Sequence, residues 1–152
     1  MSVVIAQIDI AAPPERVWDV VMDPQTTKKW VTIVRDVGPW DDGPLVEGFQ
    51  MEQRLHLRGV TFKVEWTLRE VEAPHFARWE GKGPARARAI IEDRLRATDG
   101  GTHFDYRNEF HTPFGPMGAI AAKALMGGIP MHEANASLHA LKRLIESETA
   151  SD

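Results

Sequence analysis

The sequence predicts an α+β domain built on a curved antiparallel sheet, and three observations carry that prediction. A short N-terminal strand runs through a double proline directly into an amphipathic helix. The middle of the chain is a succession of alternating apolar and polar segments separated by Gly- and Asp-rich turns. The closing segment places Met131, Ala134, Leu138, Leu141 and Ile145 at three- and four-residue spacing, which is one face of a long helix. The order is one strand, two helices, about six strands and a final helix. Consecutive strands with helices at both ends are the α+β pattern.

Each element has a local cause. Ser2 to Ile10 reads as the first strand. Pro14 suits a first helical position, where its missing N–H costs nothing, and Glu15 in the same turn complements the helix dipole. Val17, Trp18, Val21 and Met22 form the buried stripe. Asp23 is placed to cap a second short helix that begins at Pro24 and ends near Trp30. Thr32 to Val37 is the second strand, closed by Gly38-Pro39 and the turn Asp41-Asp42-Gly43-Pro44. From Phe49 to Leu57 the chain alternates, with Phe49, Met51, Gln53, Leu55 and Leu57 on one side. Arg58-Gly59 reads as a two-residue hairpin turn, and Val60, Phe62, Val64, Trp66 and Leu68 continue the apolar face. His75 to Gly81, Arg86 to Ala97 and Thr102 to Phe110 supply the remaining strands, the last two joined through Thr98-Asp99-Gly100-Gly101.

Composition bounds the function. With 152 residues the chain can bury a real core, and a single domain over residues 1–148 with an unstructured tail over 149–152 is expected. The net charge of −4 argues against a nucleic-acid binder. There is no cysteine, so disulfides, thiolate metal sites and cysteine nucleophiles are excluded. The N-terminus lacks a basic region ahead of its apolar run, and no apolar stretch is long enough for a stable membrane span, so a cytoplasmic address is expected. A homodimer is left open, because such sheets have edges.

The final hairpin can be tested for self-consistency. If the turn sets Ala97 opposite Thr102, then Leu95 faces Phe104, Asp93 faces Tyr106 and Ile91 faces Asn108. The other face then pairs Arg94 with Asp105 and Glu92 with Arg107. Those complementary pairs favour this register by ~0.2–1 kcal/mol each. The inner face becomes apolar except at Asp93, Tyr106 and Asn108, with Gln53 beside them. A lone buried carboxylate is too costly to keep charged. Asp93 therefore either bonds Tyr106 across the hairpin or forms the polar floor of a pocket.

The strand–Ala11-Ala12-Pro13-Pro14-Glu15–helix opening, the Asp23-Pro24 break, Trp30 at the second helix end, the turn-rich hairpins and the Leu141-Lys142-Arg143-Leu144-Ile145-Glu146 helix end form an ordered set. That set resembles the polyketide cyclase/dehydrase branch of the START-like (SRPBCC) superfamily. The resemblance implies a helix-grip fold, with a sheet of six to seven strands around a long C-terminal helix and a ligand cavity between them. It implies no universal catalytic residue and does not by itself imply an enzyme.

On this reading the cavity holds a small hydrophobic or aromatic molecule that is lipid-like, polyketide-like or quinone-like. Met51, Gln53, Val64, Trp66, Trp79, Ile91, Phe104, Asn108, Phe110, Met131 and Leu138 are the expected ligand-binding residues. The same aromatic stripe could instead fill the interior as core. The alternative function is a cyclase, aromatase or dehydratase working by acid–base catalysis through Asp93 and Tyr106. A third is a protein-interaction or chaperone-activator module acting through the outer sheet face. No metal and no cofactor are expected: the histidines lack metal-ligand spacing, and Ser137 lies in a helix rather than a nucleophile elbow. The glycines and methionines of Phe114 to Gly118 and Met126 to Met131 suit a movable lid.

Overall fold

The alternating segments pair in sequence order into one antiparallel sheet, in a computed structural model that describes residues 2–57, 59–111 and 129–150. The strands are β1 (Ser2–Ile10), β2 (Val34–Trp40), β3 (Gln50–Leu57), β4 (Val60–Glu72), β5 (Phe76–Lys82), β6 (Arg88–Thr98) and β7 (Gly101–His111). Their order across the sheet is β1-β7-β6-β5-β4-β3-β2, so the first and last strands of the chain are neighbours. Three helices complete the fold: α1 (Pro14–Met22), α2 (Thr27–Trp30) and the long α3 (Ile129–Ala150). Helix α3 lies mainly along β1 and also packs on α1 and α2. It continues to Ala150, beyond the expected domain end at 148. Among the described residues no helix is long and apolar enough to cross a membrane. The expected lid glycines of 114–118 and 126–128 lie outside the described residues.

The final hairpin adopts the expected register. Thr98 sits opposite Gly101, and the ladder runs Ala97–Thr102, Leu95–Phe104, Asp93–Tyr106 and Ile91–Asn108. On the outer face Glu92 lies opposite Arg107 and Arg94 opposite Asp105. The Arg94 guanidinium does not reach across to Asp105. It bonds Glu92 at 2.9 Å and stacks 4.5 Å above the Phe76 ring. These pairs are exposed enough that each adds little stability.

The helical corner differs from expectation by a few residues. Pro14 opens α1 as expected, with Pro13 O accepting from Arg16 N and Val17 N. The second helix starts at Thr27 rather than Pro24, because Asp23 closes a turn first. Its carboxylate accepts from Gln25 N at 2.9 Å, and its carbonyl accepts from Thr26 Oγ1 at 3.0 Å. Strand β2 begins at Val34, not Thr32, because Thr32 is held by α3. The Thr32 N–H donates to Ser137 Oγ at 3.0 Å, and the Thr32 hydroxyl bonds the Glu133 carboxylate. The strand then runs on through Gly38-Pro39, with register shifts between Val34 and Asp36 and between Val37 and Trp40. Before β6, Pro84–Arg86 forms one turn of 3-10 helix, which delays that strand to Arg88.

The core is concentrated where α1 and the later turns of α3 cover β6 and β7. Val17, Leu95, Phe104, Leu141 and Ile145 are all buried there. Phe104, expected on the cavity wall, has no exposed surface and packs between Leu95 and Ile8 as core. Two bonds tie α3 to the edge strand and the turn after it: Lys142 Nζ donates to Asp9 O at 2.8 Å, and Ala11 N donates to the Glu146 carboxylate at 2.9 Å.

Gly101 lets the β1–α1 corner close onto β7. Its φ is +149°, and a Cβ there would collide with Ile10 O and lie 2.8 Å from Ala12 N. Thr102 Oγ1 donates to Ala12 O at 2.7 Å beside it. Gly100, one residue earlier in the turn, has open space where a Cβ would go. Gly101→Ala should therefore cost about 2–3 kcal/mol or more in urea unfolding, while Gly100→Ala stays within about 1 kcal/mol.

Candidate ligand cavity and its polar floor

Away from the core, the concave face of the sheet and the first turns of α3 do not meet, and a cavity of about 250 Å³ lies between them. Residues of β3 to β7 form one wall, α2 and the start of β2 a second, and Pro130, Ala134, Ser137 and Leu138 of α3 the third. The volume is just under the ~300–1,000 Å³ usual for small-molecule pockets and suits a compact ring system.

The wall follows from pleat alternation. Met51, Gln53, Leu55 and Leu57 come from β3, Val64 and Trp66 from β4, Trp79 and Gly81 from β5, and Ile91 and Asp93 from β6. Tyr106, Asn108 and Phe110 of β7 complete the floor. Trp79 meets Phe49 edge-on, with ring centroids 6.3 Å apart. Trp66 sits opposite Gly81 in the ladder and takes the space a side chain would need there. A Cβ on Gly81 would fall 2.6 Å from the Trp66 ring and 2.8 Å from Val64. With the ring seated this way, Trp66 Nε1 donates to Gln53 Oε1 at 2.9 Å inside the interior.

The floor is polar at three adjacent positions. Asn108 Nδ2 donates to the Tyr106 hydroxyl oxygen at 2.9 Å. Asn108 Oδ1 is buried without a partner among the described residues. Asp93, across the ladder from Tyr106, is only 5% exposed and has no hydrogen bond among the described residues. Of the two arrangements left open for Asp93, a bond to Tyr106 or a place on a pocket floor, the described residues show no Asp93–Tyr106 bond, and the Tyr106 oxygen accepts from Asn108. Burial alone lifts the Asp93 pKa from 3.8 to about 7. Burial, and then the nearby Asp93 carboxylate, push the Tyr106 hydroxyl well above its ordinary range, against the opposing effect of the Asn108 bond. Tyr106 thus stays protonated at any working pH, while Asp93 is divided between its two forms near neutrality.

The structure brings Asp93, Tyr106 and Asn108 together on β6 and β7 and separates Gln53, on β3, from them by the strands β4 and β5. Leu138 lines the cavity and is also core, at 2% exposure. Met131 shares the helical face of Leu138 but is 39% exposed and is not on the wall. Helical spacing sets which residues share a face, not how far the covering surface extends. The second wall has little signature in the sequence: Trp30, Val31 and Ile33 line it, and the buried Trp30 indole N–H has no partner among the described residues. Its one legible sign was an aromatic at the end of a four-residue helix. Among the described residues no three His, Asp or Glu side chains converge as a metal site requires.

A helix against a curved seven-stranded sheet, with the cavity between them, is a shape shared widely. Residues 1–146 match the family described as polyketide cyclase / dehydrase and lipid transport. The chain belongs to this family. Among curated proteins it is similar to Toxin Rv0910 of Mycobacterium tuberculosis, 23% identical over 131 residues that span 85% of this chain and 91% of the toxin. Among solved structures it is similar to SA2116 of Staphylococcus aureus, a protein of unknown function, with a TM-score of 0.72, 15% identity and coverage of 98% and 96% of the two chains. It is also similar to DynU16, a protein in the dynemicin biosynthetic locus, with a TM-score of 0.66, 15% identity, and coverage of 97% of this chain and 48% of that one. At these identities the solved structures share the polyketide cyclase/dehydrase fold and nothing finer.

The Asp93 shift has a sign that can be measured. Unfolded Asp93 releases its proton near 3.8 and folded Asp93 near 7. Between those values the folded chain holds a proton that the unfolded chain lacks, so stability falls as pH rises through the window. The full shift corresponds to a cost on the order of 4 kcal/mol above it. In denaturation curves, Asp93→Asn should be more stable than the natural chain at about pH 8, and the gap should close towards about pH 4. A gap that does not change with pH would mean that Asp93 is solvated in the folded chain.

Proposed function

We propose that this chain binds a small apolar, ring-containing molecule in the cavity between the sheet and α3. The observation that carries the reading is a buried carboxyl without a partner among the described residues, set on the polar floor of a largely apolar cavity. Structure alone would favour a residue that adds stability at position 93 rather than one that removes it. The family description, which includes lipid transport, supports the same reading. The outer face, carrying ion pairs among Arg78, Glu92, Arg94 and Arg107, supports a protein-docking role least.

A neutral fluorescent probe, N-phenyl-1-naphthylamine, tests it. Titration should give saturable binding with one site per chain. Gly81→Ala forces the Trp66 ring from its seat toward the cavity and should weaken that binding by about ten-fold or more. An outer-face change such as Arg94→Ala should leave it unaltered. Absence of saturable binding to the natural chain would overturn the proposal.

A second reading has its own support. With a pKa of about 7, Asp93 can take or give a proton at neutral pH, beside a Tyr106 hydroxyl able to hold a carbonyl oxygen. That pair fits proton abstraction next to a carbonyl, as ring closure or dehydration of a polyketide-like chain needs. Asp93→Asn separates the two readings. Turnover should fall at least about a hundred-fold if Asp93 is the acid–base group, whereas a carrier should keep its probe affinity within a few-fold.

A further inference from the structure

We propose that the ligand's polar end is uncharged, offers both a hydrogen-bond donor and an acceptor, as a phenol or a hydroxyketone does, and lies on the Asp93–Tyr106–Asn108 floor. This rests on the cavity-binding reading above and adds the ligand's chemical class to it.

The floor's unused hydrogen-bonding capacity sets that class. Asn108 spends an N–H on Tyr106, and its buried Oδ1 has no partner among the described residues, which leaves it open to a donor from a ligand. The Tyr106 oxygen already accepts that N–H, and its own hydrogen has no acceptor among the described residues, so it needs an acceptor. A hydroxyl on a ring meets both needs: it donates to Asn108 Oδ1 and accepts from Tyr106. A ketone beside a hydroxyl does the same with two atoms.

Charged ends fit badly. A carboxylate or phosphate on the floor would lie beside Asp93 with no cation on the floor among the described residues to pair it. Among the described residues the basic side chains on the cavity wall are Arg88 and His111, both exposed, and His111 bonds Glu109 at 3.1 Å. An ammonium would meet Asp93 but gives the Tyr106 hydrogen no acceptor. The floor therefore discriminates against fatty-acid and phosphate head groups, although its apolar wall would accept their hydrocarbon.

The test is displacement of N-phenyl-1-naphthylamine at about pH 7.5 by four compounds with one ring skeleton: naphthalene, 2-naphthol, 2-naphthoate and 1-naphthylmethylamine. 2-Naphthol should bind about ten-fold tighter than either charged compound and several-fold tighter than naphthalene. Tyr106→Phe, which removes only the hydroxyl, and Asn108→Leu should each erase the advantage of naphthol over naphthalene. Naphthalene binding should persist in both variants and reports that the cavity is still formed; if one variant loses it, the other decides. 2-Naphthoate binding as tightly as 2-naphthol, with Arg88→Ala abolishing it, would put the polar end at the rim and overturn the proposal. A preference for 1-naphthylmethylamine would overturn it too, as would equal binding of all four, which leaves the cavity reading standing. Failure of both the fluorescent probe and naphthalene to bind would remove the cavity reading itself.

Discussion

The turn at Asp99 and Gly100 brings Thr98 opposite Gly101, and every cross-strand pair of β6 and β7 follows from that contact. Side chains alternate between the two faces with a period of two, so a one-residue slip in this register would turn one of the two strands over relative to the other. Asp93 would then lose its place opposite Tyr106, and the two would face opposite sides of the sheet. The turn is held from outside the hairpin. Gly101 admits the β1–α1 corner at contact distance, and Thr102 bonds the carbonyl of Ala12 in that corner. The polar floor is thus positioned by packing at the far end of the strands that carry it.

That packing also explains why the interior is solid in one half and hollow in the other. Near α1, Phe104, Leu95, Leu141 and Ile145 are all buried members of one core cluster. Further along, β3 to β5 carry large rings that stand against their own neighbours: Trp66 over Gly81, Trp79 against Phe49. Rings held against the sheet do not cross to the helix. The third side is closed by the α2–β2 connection, which Thr32 ties to Ser137 and Glu133 of α3.

Much of this was legible in the sequence. Strict alternation identified the inner faces of β3, β4, β6 and β7, and opposite charges across the last hairpin gave its register. Prolines and aspartates marked the helix starts to within three residues. What the sequence could not carry was extent. Phe104 and Tyr106 are equivalent in pattern, yet one is sealed as core and the other lines the cavity, and alternation along a strand does not say which. Met131 and Leu138 share a helix face, yet only Leu138 has a neighbour surface to meet. Gly81 was read as a strand end. Its role depends on the ring opposite, which becomes visible only once β4 and β5 are paired. Of the two arrangements open to Asp93, the ladder alone could not choose: opposition gives proximity without a bond, and the Tyr106 oxygen accepts from Asn108, two residues along on the same face.

An open sheet leaves two rows of unpaired backbone groups at its sides, each a template on which another chain could add a strand. This fold treats the two sides differently. On β2, Pro39 has no N–H to offer, and the two register shifts break the row into pieces too short to template a partner. On β1, the ammonium of Lys142 holds the Asp9 carbonyl, and α3 lies alongside. The irregularities of the second strand, which look like blemishes in the ladder, thus guard that side against fibrous growth. Straightening β2 by replacing Gly38-Pro39 with a strand-forming pair would remove that guard while leaving the cavity's polar floor untouched.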